Sequence, residues 1–247
     1  MGQNLLIVGD SGSGKSTACG TLNPKETFII NVAGKGLPFR GWKKNYTMYD
    51  QLANPSGNMV NVSSPLAIEQ WMDAVNLYRP EIKTIVVDDW QYMSSFEFFD
   101  RSAEKGFEKF VQIGASLAKI SKMPKNFRED LLVVFLIHAE DSQDLEGNRK
   151  VKAKTIGKMV DEKLTLEGLF TIVLFAKLKK NKEGELRHVF ETKNNGANTC
   201  KAPQGMFPFD EIPNDLQYVR DCIAAYEMDA PVPAIPIVVA TELVVSA

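Results

Sequence analysis

The stretch Gly9-Asp10-Ser11-Gly12-Ser13-Gly14-Lys15-Ser16 constrains this chain more than any other, because it fills the whole pattern GxxxxGK[ST]. An apolar run, Asn4-Leu5-Leu6-Ile7-Val8, precedes it and reads as a buried strand. A helix is expected from about Lys15 to Gly20. Strand, glycine-rich turn and helix start together make a phosphate cradle. The glycines let backbone N–H groups turn inward, and the helix start adds unsatisfied N–H groups and a positive dipole end. The nucleotide-binding stretch is expected to span Gly9, Asp10, Ser11, Gly12, Ser13, Gly14, Lys15, Ser16 and Thr17. Lys15 brings a point charge to the β- and γ-phosphates, and the Ser16 hydroxyl is a ligand for Mg²⁺.

The second half of such a site is an acid at the end of a neighbouring buried strand. Thr84-Ile85-Val86-Val87-Asp88-Asp89 supplies it. Asp88 is expected to hold the metal, as the Walker-B aspartate. Asp89 stands where many such ATPases carry a water-orienting glutamate, one methylene longer. The alternative is that both aspartates serve the metal or end the strand. His138 closes the apolar run Leu131–Ile137, at the strand end where ligands bind in such sheets. It is the candidate γ-phosphate sensor, with Asp141 and Ser142 as nearby polar alternatives. Lys15, Asp89 and His138 are therefore the candidate catalytic residues.

Further strands are expected at 27–32, 131–137, 170–176 and 186–190, and helices at 65–78, about 99–122 and 215–227. Short apolar strands between helical stretches argue for a mainly parallel sheet covered on both faces, an α/β fold. With 247 residues and 44% hydrophobic content, one such domain over 1–228 is the economical division, followed by a Pro/Ala/Val-rich tail over 229–247. That tail is either a flexible end or an interaction arm. Three sparse cysteines do not make a disulfide framework, and no Cys/His spacing suggests zinc. No segment has the roughly 20 apolar residues that span a bilayer, so a soluble, cytoplasmic chain without a membrane partner is expected.

A net charge of −2 excludes a polycation, but two stretches are locally basic. One carries Arg149, Lys150, Lys152, Lys154 and Lys158; the other carries Lys177, Lys179, Lys180, Lys182 and Lys193. Both are read as loops emerging near one end of the sheet. They suit salt-sensitive contacts to a nucleic-acid backbone more than base stacking, because aromatics are few. Contacts to single-stranded DNA are assigned to Arg149, Lys150, Lys152, Lys154, Lys158, Lys179, Lys180 and Lys182, against the alternative of a solvated charged face. Lys177, Lys179 or Lys193 would be the cation that completes a neighbouring subunit's site.

Gly9–Thr17, Thr84–Asp89, the strand ending Leu136-Ile137-His138-Ala139-Glu140 and the late Phe190-Glu191-Thr192-Lys193 together resemble the RecA-like P-loop ATPases of bacteriophages. In particular the chain resembles the phage AAA-family nucleotide-binding proteins, including the Sak-type single-strand annealing group. The resemblance implies a RecA-like core, ATP with Mg²⁺, and hydrolysis coupled to single-stranded DNA in phage recombination or replication. It also implies a single-strand-binding protein as partner, a homo-oligomeric ring or filament, and the cytoplasm of an infected host cell. Alternatives are an accessory ATPase driven by a protein partner (helicase loader, partition or packaging type) and a small-molecule kinase. The chain departs from RecA after its second core strand: Asn31-Val32-Ala33-Gly34-Lys35-Gly36 holds no acid there.

Overall fold

The computed structural model describes residues 2–143, 147–156, 164–181 and 184–236. Its strands are β1 (Gln3–Gly9), β2 (Thr27–Asn31), β3 (Met59–Asn61), β4 (Thr84–Asp88) and β5 (Leu132–Gln143), then β6 (Arg149–Ala153), β7 (Ile172–Lys180), β8 (Leu186–Glu191) and β9 (Glu211–Pro213). The α-helices among the described residues are α1 (Trp42–Asn45), α2 (Pro65–Tyr78), α3 (Gln91–Asp100), α4 (Glu108–Lys122) and α5 (Leu216–Glu227).

The sheet runs β3-β2-β4-β5-β1-β7-β8-β9. From β3 to β7 every pairing is parallel, while β8 and β9 close one edge antiparallel. Alternate residues of β1 feed two separate cores. Leu6 and Val8 pack on one face with Ile68, Met72 and Val75 of α2 and Leu117 and Ile120 of α4. Leu5 and Ile7 pack on the other with Val219, Cys222 and Ile223 of α5. Burial on both faces explains why these strands are near-continuous apolar runs, and each buried Leu or Ile contributes about 1.5–3 kcal/mol.

Local signals set the helix ends. The Ser64 hydroxyl accepts from the Ala67 N–H ahead of α2, with Pro65 in the first turn. Asp215 caps α5 by accepting from Tyr218 N–H at 2.9 Å. The helix expected over 99–122 is two helices, α3 and α4, because Gly106 between them sits at φ +91°. The helix expected after the phosphate loop is a 3₁₀ segment, Thr17–Thr21. Gly20 lies against the Phe39 ring and Pro24 follows, so no longer helix forms.

The basic stretch beginning at Arg149 is not wholly a loop. Arg149–Ala153 forms β6, antiparallel to the far half of β5 from Ala139 to Gln143. The second basic stretch forms the β7–β8 hairpin. Because β1 lies between β5 and β7 and stops at Gly9, both hairpins extend past the sheet on either side of the phosphate loop. Lys158 and Lys182 lie outside the described residues, as do residues 237–247 of the tail. The described start of the tail returns to the domain: Tyr218 Oη donates to the Pro233 carbonyl at 3.3 Å. Cys19, Cys200 and Cys222 are free and buried. Among the described residues no helix is long and apolar enough to cross a membrane.

Candidate functional site

Three neighbouring parallel strands, β1, β2 and β4, end together where β5 passes through His138, and the site forms at this level. Gly9 of β1 pairs with His138 of β5, and Asn31 of β2 pairs with Asp88 of β4. Gly9 tolerates no side chain: a Cβ there would lie 2.5 Å from Ser13 Oγ and 2.6 Å from the Ala176 carbonyl. Gly14 stands at φ +97° with the His188 ring where its Cβ would be, at 2.9 Å. The phosphate loop is thus folded by its glycines and walled by β8 and by Asn214, which precedes α5.

Lys15 curls over the loop and donates to the carbonyls of Gly9 at 2.6 Å and Asp10 at 2.8 Å. Burial lowers its pKa to about 8, a pull that Asp89 and Asp88 only partly offset. Ser16 Oγ donates to Asp88 Oδ1 at 2.7 Å. Burial, helped by Asp89, pushes the Asp88 carboxyl up to about 6. Hydroxyl and carboxylate are the hard oxygen donors that Mg²⁺ takes, and they already touch. Among the described residues no cluster of three or more His, Cys, Asp or Glu side chains is placed to hold a metal. A cation here would take these two groups and complete its shell with phosphate and water, as Mg²⁺ usually does.

Asp89 has a backbone conformation that non-glycine residues seldom adopt, φ +58°. Such a residue costs about 1–2 kcal/mol. The next residue holds it there. Trp90 is fully buried, its ring 4.5 Å from that of Phe135, and its backbone N–H donates to Leu136 O at 2.9 Å. Burying a tryptophan is worth about 3–5 kcal/mol, which outweighs the strain. The turned backbone sets the Asp89 carboxylate 3.4 Å from His138 Nε2 and 2.6 Å from Lys35 Nζ. Burial would raise the Asp89 pKa, but hydrogen bonds from His138 and Lys35 overcome it and hold the group at about 2. Gln91 adds a link by accepting the His138 N–H at 3.1 Å, and Tyr92 packs edge-on against the His138 ring.

The phosphate loop, Lys35, Gly36, Pro38, Asp88, Asp89 and His138 enclose a cleft of about 290 Å³. A larger groove, about 560 Å³, lies at the other end of the strands, against Gln3, Leu132 and Ile223. It has no phosphate-binding backbone, so the smaller cleft is the site. Gly9 to Thr17, Asp88, Asp89 and His138 are brought together at this end of the sheet. Lys35, Gln91, His188 and Asn214 join them and are not among the residues the sequence singles out.

The other candidate residues are placed differently. Lys177 pairs with the buried Glu191 at 2.7 Å; Lys179 pairs with Glu191 at 2.8 Å and Glu211 at 2.9 Å. Lys193 pairs with Asp210 on an exposed loop. Arg149 pairs with Asp141, and Lys152 with Glu140. Lys154 and Lys180 are exposed, and Lys150 is half-buried. Asp141 and Ser142 lie out on the β5–β6 hairpin, where Ser142 donates to Lys150 O at 3.2 Å.

A glycine-built phosphate cradle with a lysine, a hydroxyl–carboxylate pair for a divalent cation and a second acid lining the cleft defines a P-loop nucleotide-binding site. The surrounding α/β core, with its largely parallel sheet flanked by helices, is of the RecA-like kind. The AAA domain family model matches residues 1–203, and the chain belongs to that family. It is therefore an ATP-binding protein of the P-loop ATPase class. Comparison with the curated proteins matched none. Among solved structures it is similar to a KaiC-like protein from the hyperthermophilic archaeon Pyrococcus horikoshii, at 13% identity over 76% of each chain and a TM-score of 0.42.

The two shifted groups set a pH window. Below about 6 Asp88 is protonated and cannot serve a cation; above about 8 Lys15 is neutral and loses its charge to phosphate. Affinity for Mg²⁺-nucleotide, measured by titration at a series of pH values, is expected to be highest between these limits and to fall about tenfold per unit outside them. A flat profile from pH 5 to 9 would remove Asp88 and Lys15 from the binding step.

Proposed function

We propose that this protein is a Mg²⁺-dependent ATPase that acts on single-stranded DNA, annealing or pairing strands in phage recombination or replication. The observation that carries the reading is the strand β5. Its inner half ends at His138, beside Asp89, and its outer half carries β6. On β6, Val151 and Ala153 pack toward the core, so Lys150, Lys152 and Lys154 alternate with them on the other face. The Lys154 N–H donates to the His138 carbonyl at 2.8 Å. A polyanion drawn to these lysines would press on the strand that carries His138 against the catalytic acid. A single-strand-binding protein, a homo-oligomer and the host cytoplasm belong to the same reading. In an oligomer, Lys193 is the exposed cation able to reach a neighbour's nucleotide once released from Asp210.

A second reading, an accessory ATPase driven by a protein partner, is favoured by Phe99, Phe107 and Val111. These stand exposed around α3 and α4, the same α3 whose Tyr92 packs on His138. One assay separates the two. Phosphate release is measured with and without single-stranded DNA, at low and high salt. The first reading expects stimulation of about tenfold or more, lost with salt and lost in Lys150→Glu/Lys154→Glu. No response to DNA at low salt rejects it in favour of the second.

A further inference from the structure

Lys35 is the one cation in the cleft that neither the motif nor the family match assigns a role. It follows β2, between Gly34 at φ +66° and Gly36. Its backbone is pinned, because the buried Asn31 Nδ2 donates to the Lys35 carbonyl at 2.6 Å. Its side chain is free over most of its length, 62% exposed, with the ammonium 2.6 Å from Asp89 Oδ2 and 5.6 Å from the centre of the Tyr92 ring. A fixed backbone with a mobile four-carbon stem lets a charge swing without moving the chain.

The position of this charge is informative. Lys35 and Lys15 line the same cleft, and the phosphate loop, Asp88 and Asp89 lie between and around them. The Asp89 carboxylate holds the Lys35 ammonium in this cleft, and a triphosphate bound over the phosphate loop would compete with Asp89 for it.

We propose that Lys35 is a built-in catalytic cation: its ammonium rests on Asp89 and moves to the γ-phosphate of bound nucleoside triphosphate. The inference rests on the ATPase reading. In the reaction the water oxygen forms the new bond to the γ-phosphorus. The bond from that phosphorus to the bridging oxygen breaks, its electron pair leaving on the nucleoside diphosphate. The water proton passes to Asp89 and then to solvent. The move of Lys35 serves both ends of this step. It adds positive charge where the phosphoryl oxygens gather negative charge, and it frees one oxygen of Asp89 to face water. A diphosphate offers no γ-phosphate and leaves the Lys35–Asp89 pair intact.

The test compares Lys35→Gln and Lys35→Arg with the intact protein in two measurements: affinity for a slowly hydrolysed ATP analogue and for ADP, and steady-state phosphate release. In Lys35→Gln the analogue is expected to bind about tenfold more weakly with ADP unchanged. Turnover is expected to fall roughly 100-fold or more. Lys35→Arg, which keeps the charge, recovers most of both. An unchanged ratio of analogue to ADP affinity overturns the proposal. So does faster turnover in Lys35→Gln, which would make Lys35 only a lock on Asp89. If the intact protein releases no phosphate, the ATPase reading fails by itself, and the affinity ratio still decides whether Lys35 meets the γ-phosphate.

Discussion

Lys15→Ala is expected to abolish nucleotide binding and turnover while leaving the protein folded. The lysine side chain is buried and donates to Gly9 and Asp10 carbonyls. Removing its partner charge from a bound phosphate costs about 2–5 kcal/mol, or roughly 30- to 5,000-fold in affinity. The fold should not suffer. With Lys15 depressed to about 8 by burial, the charged ammonium is a burden on the folded state at neutral pH, and a neutral side chain relieves it. The sign is that of a cation with a lowered folded pKa: the stability it contributes is present above its unfolded value of 10.5 and lost as pH falls through about 8. Calorimetric melting should therefore show an unchanged or higher Tm for Lys15→Ala at pH 7, and isothermal titration with Mg²⁺-ATP should show no binding.

Asp89→Asn is expected to act on turnover alone. The substitution keeps size and the contact with His138, but removes the charge that pairs with Lys35 and lines the cleft. A positioned acid or base contributes about 100- to 10,000-fold, so kcat should fall by that factor with KM changed by less than a few-fold. Asp88→Asn should differ, weakening Mg²⁺-nucleotide binding itself, because Asp88 pairs with the Ser16 hydroxyl. Equal KM effects for the two variants would merge their roles, which the turned backbone at Asp89 argues against.

The parts legible in the sequence are those whose chemistry is contiguous. Gly9 to Ser16 and Asp88 are each fixed by a few adjacent residues, so pattern alone finds them. Lys35 was hidden because its role depends on the sheet order. Only the neighbouring of β2 and β4 brings the segment after Asn31 beside Asp89. The signal that was available is a lysine between two glycines just after a buried strand. The hairpin β5–β6 was hidden by composition: Arg149–Ala153 is charged enough to pass for a loop, although Lys150 and Lys152 alternate with Val151 and Ala153 at a strand's period. The three-residue strands β3 and β9 are too short to show any period. The shortened helix after the phosphate loop follows from Gly20 and Pro24, which break the usual strand–loop–helix order.

The central claim is that the cleft around Lys15, Asp88 and Asp89 binds and hydrolyses ATP. Phosphate release from Mg²⁺-ATP by the intact protein, beside Lys15→Ala and Asp89→Asn prepared in the same way, tests it most directly. The structure predicts turnover in the intact protein and none above background in either variant, with nucleotide still bound by Asp89→Asn. Equal phosphate release from all three proteins would contradict it.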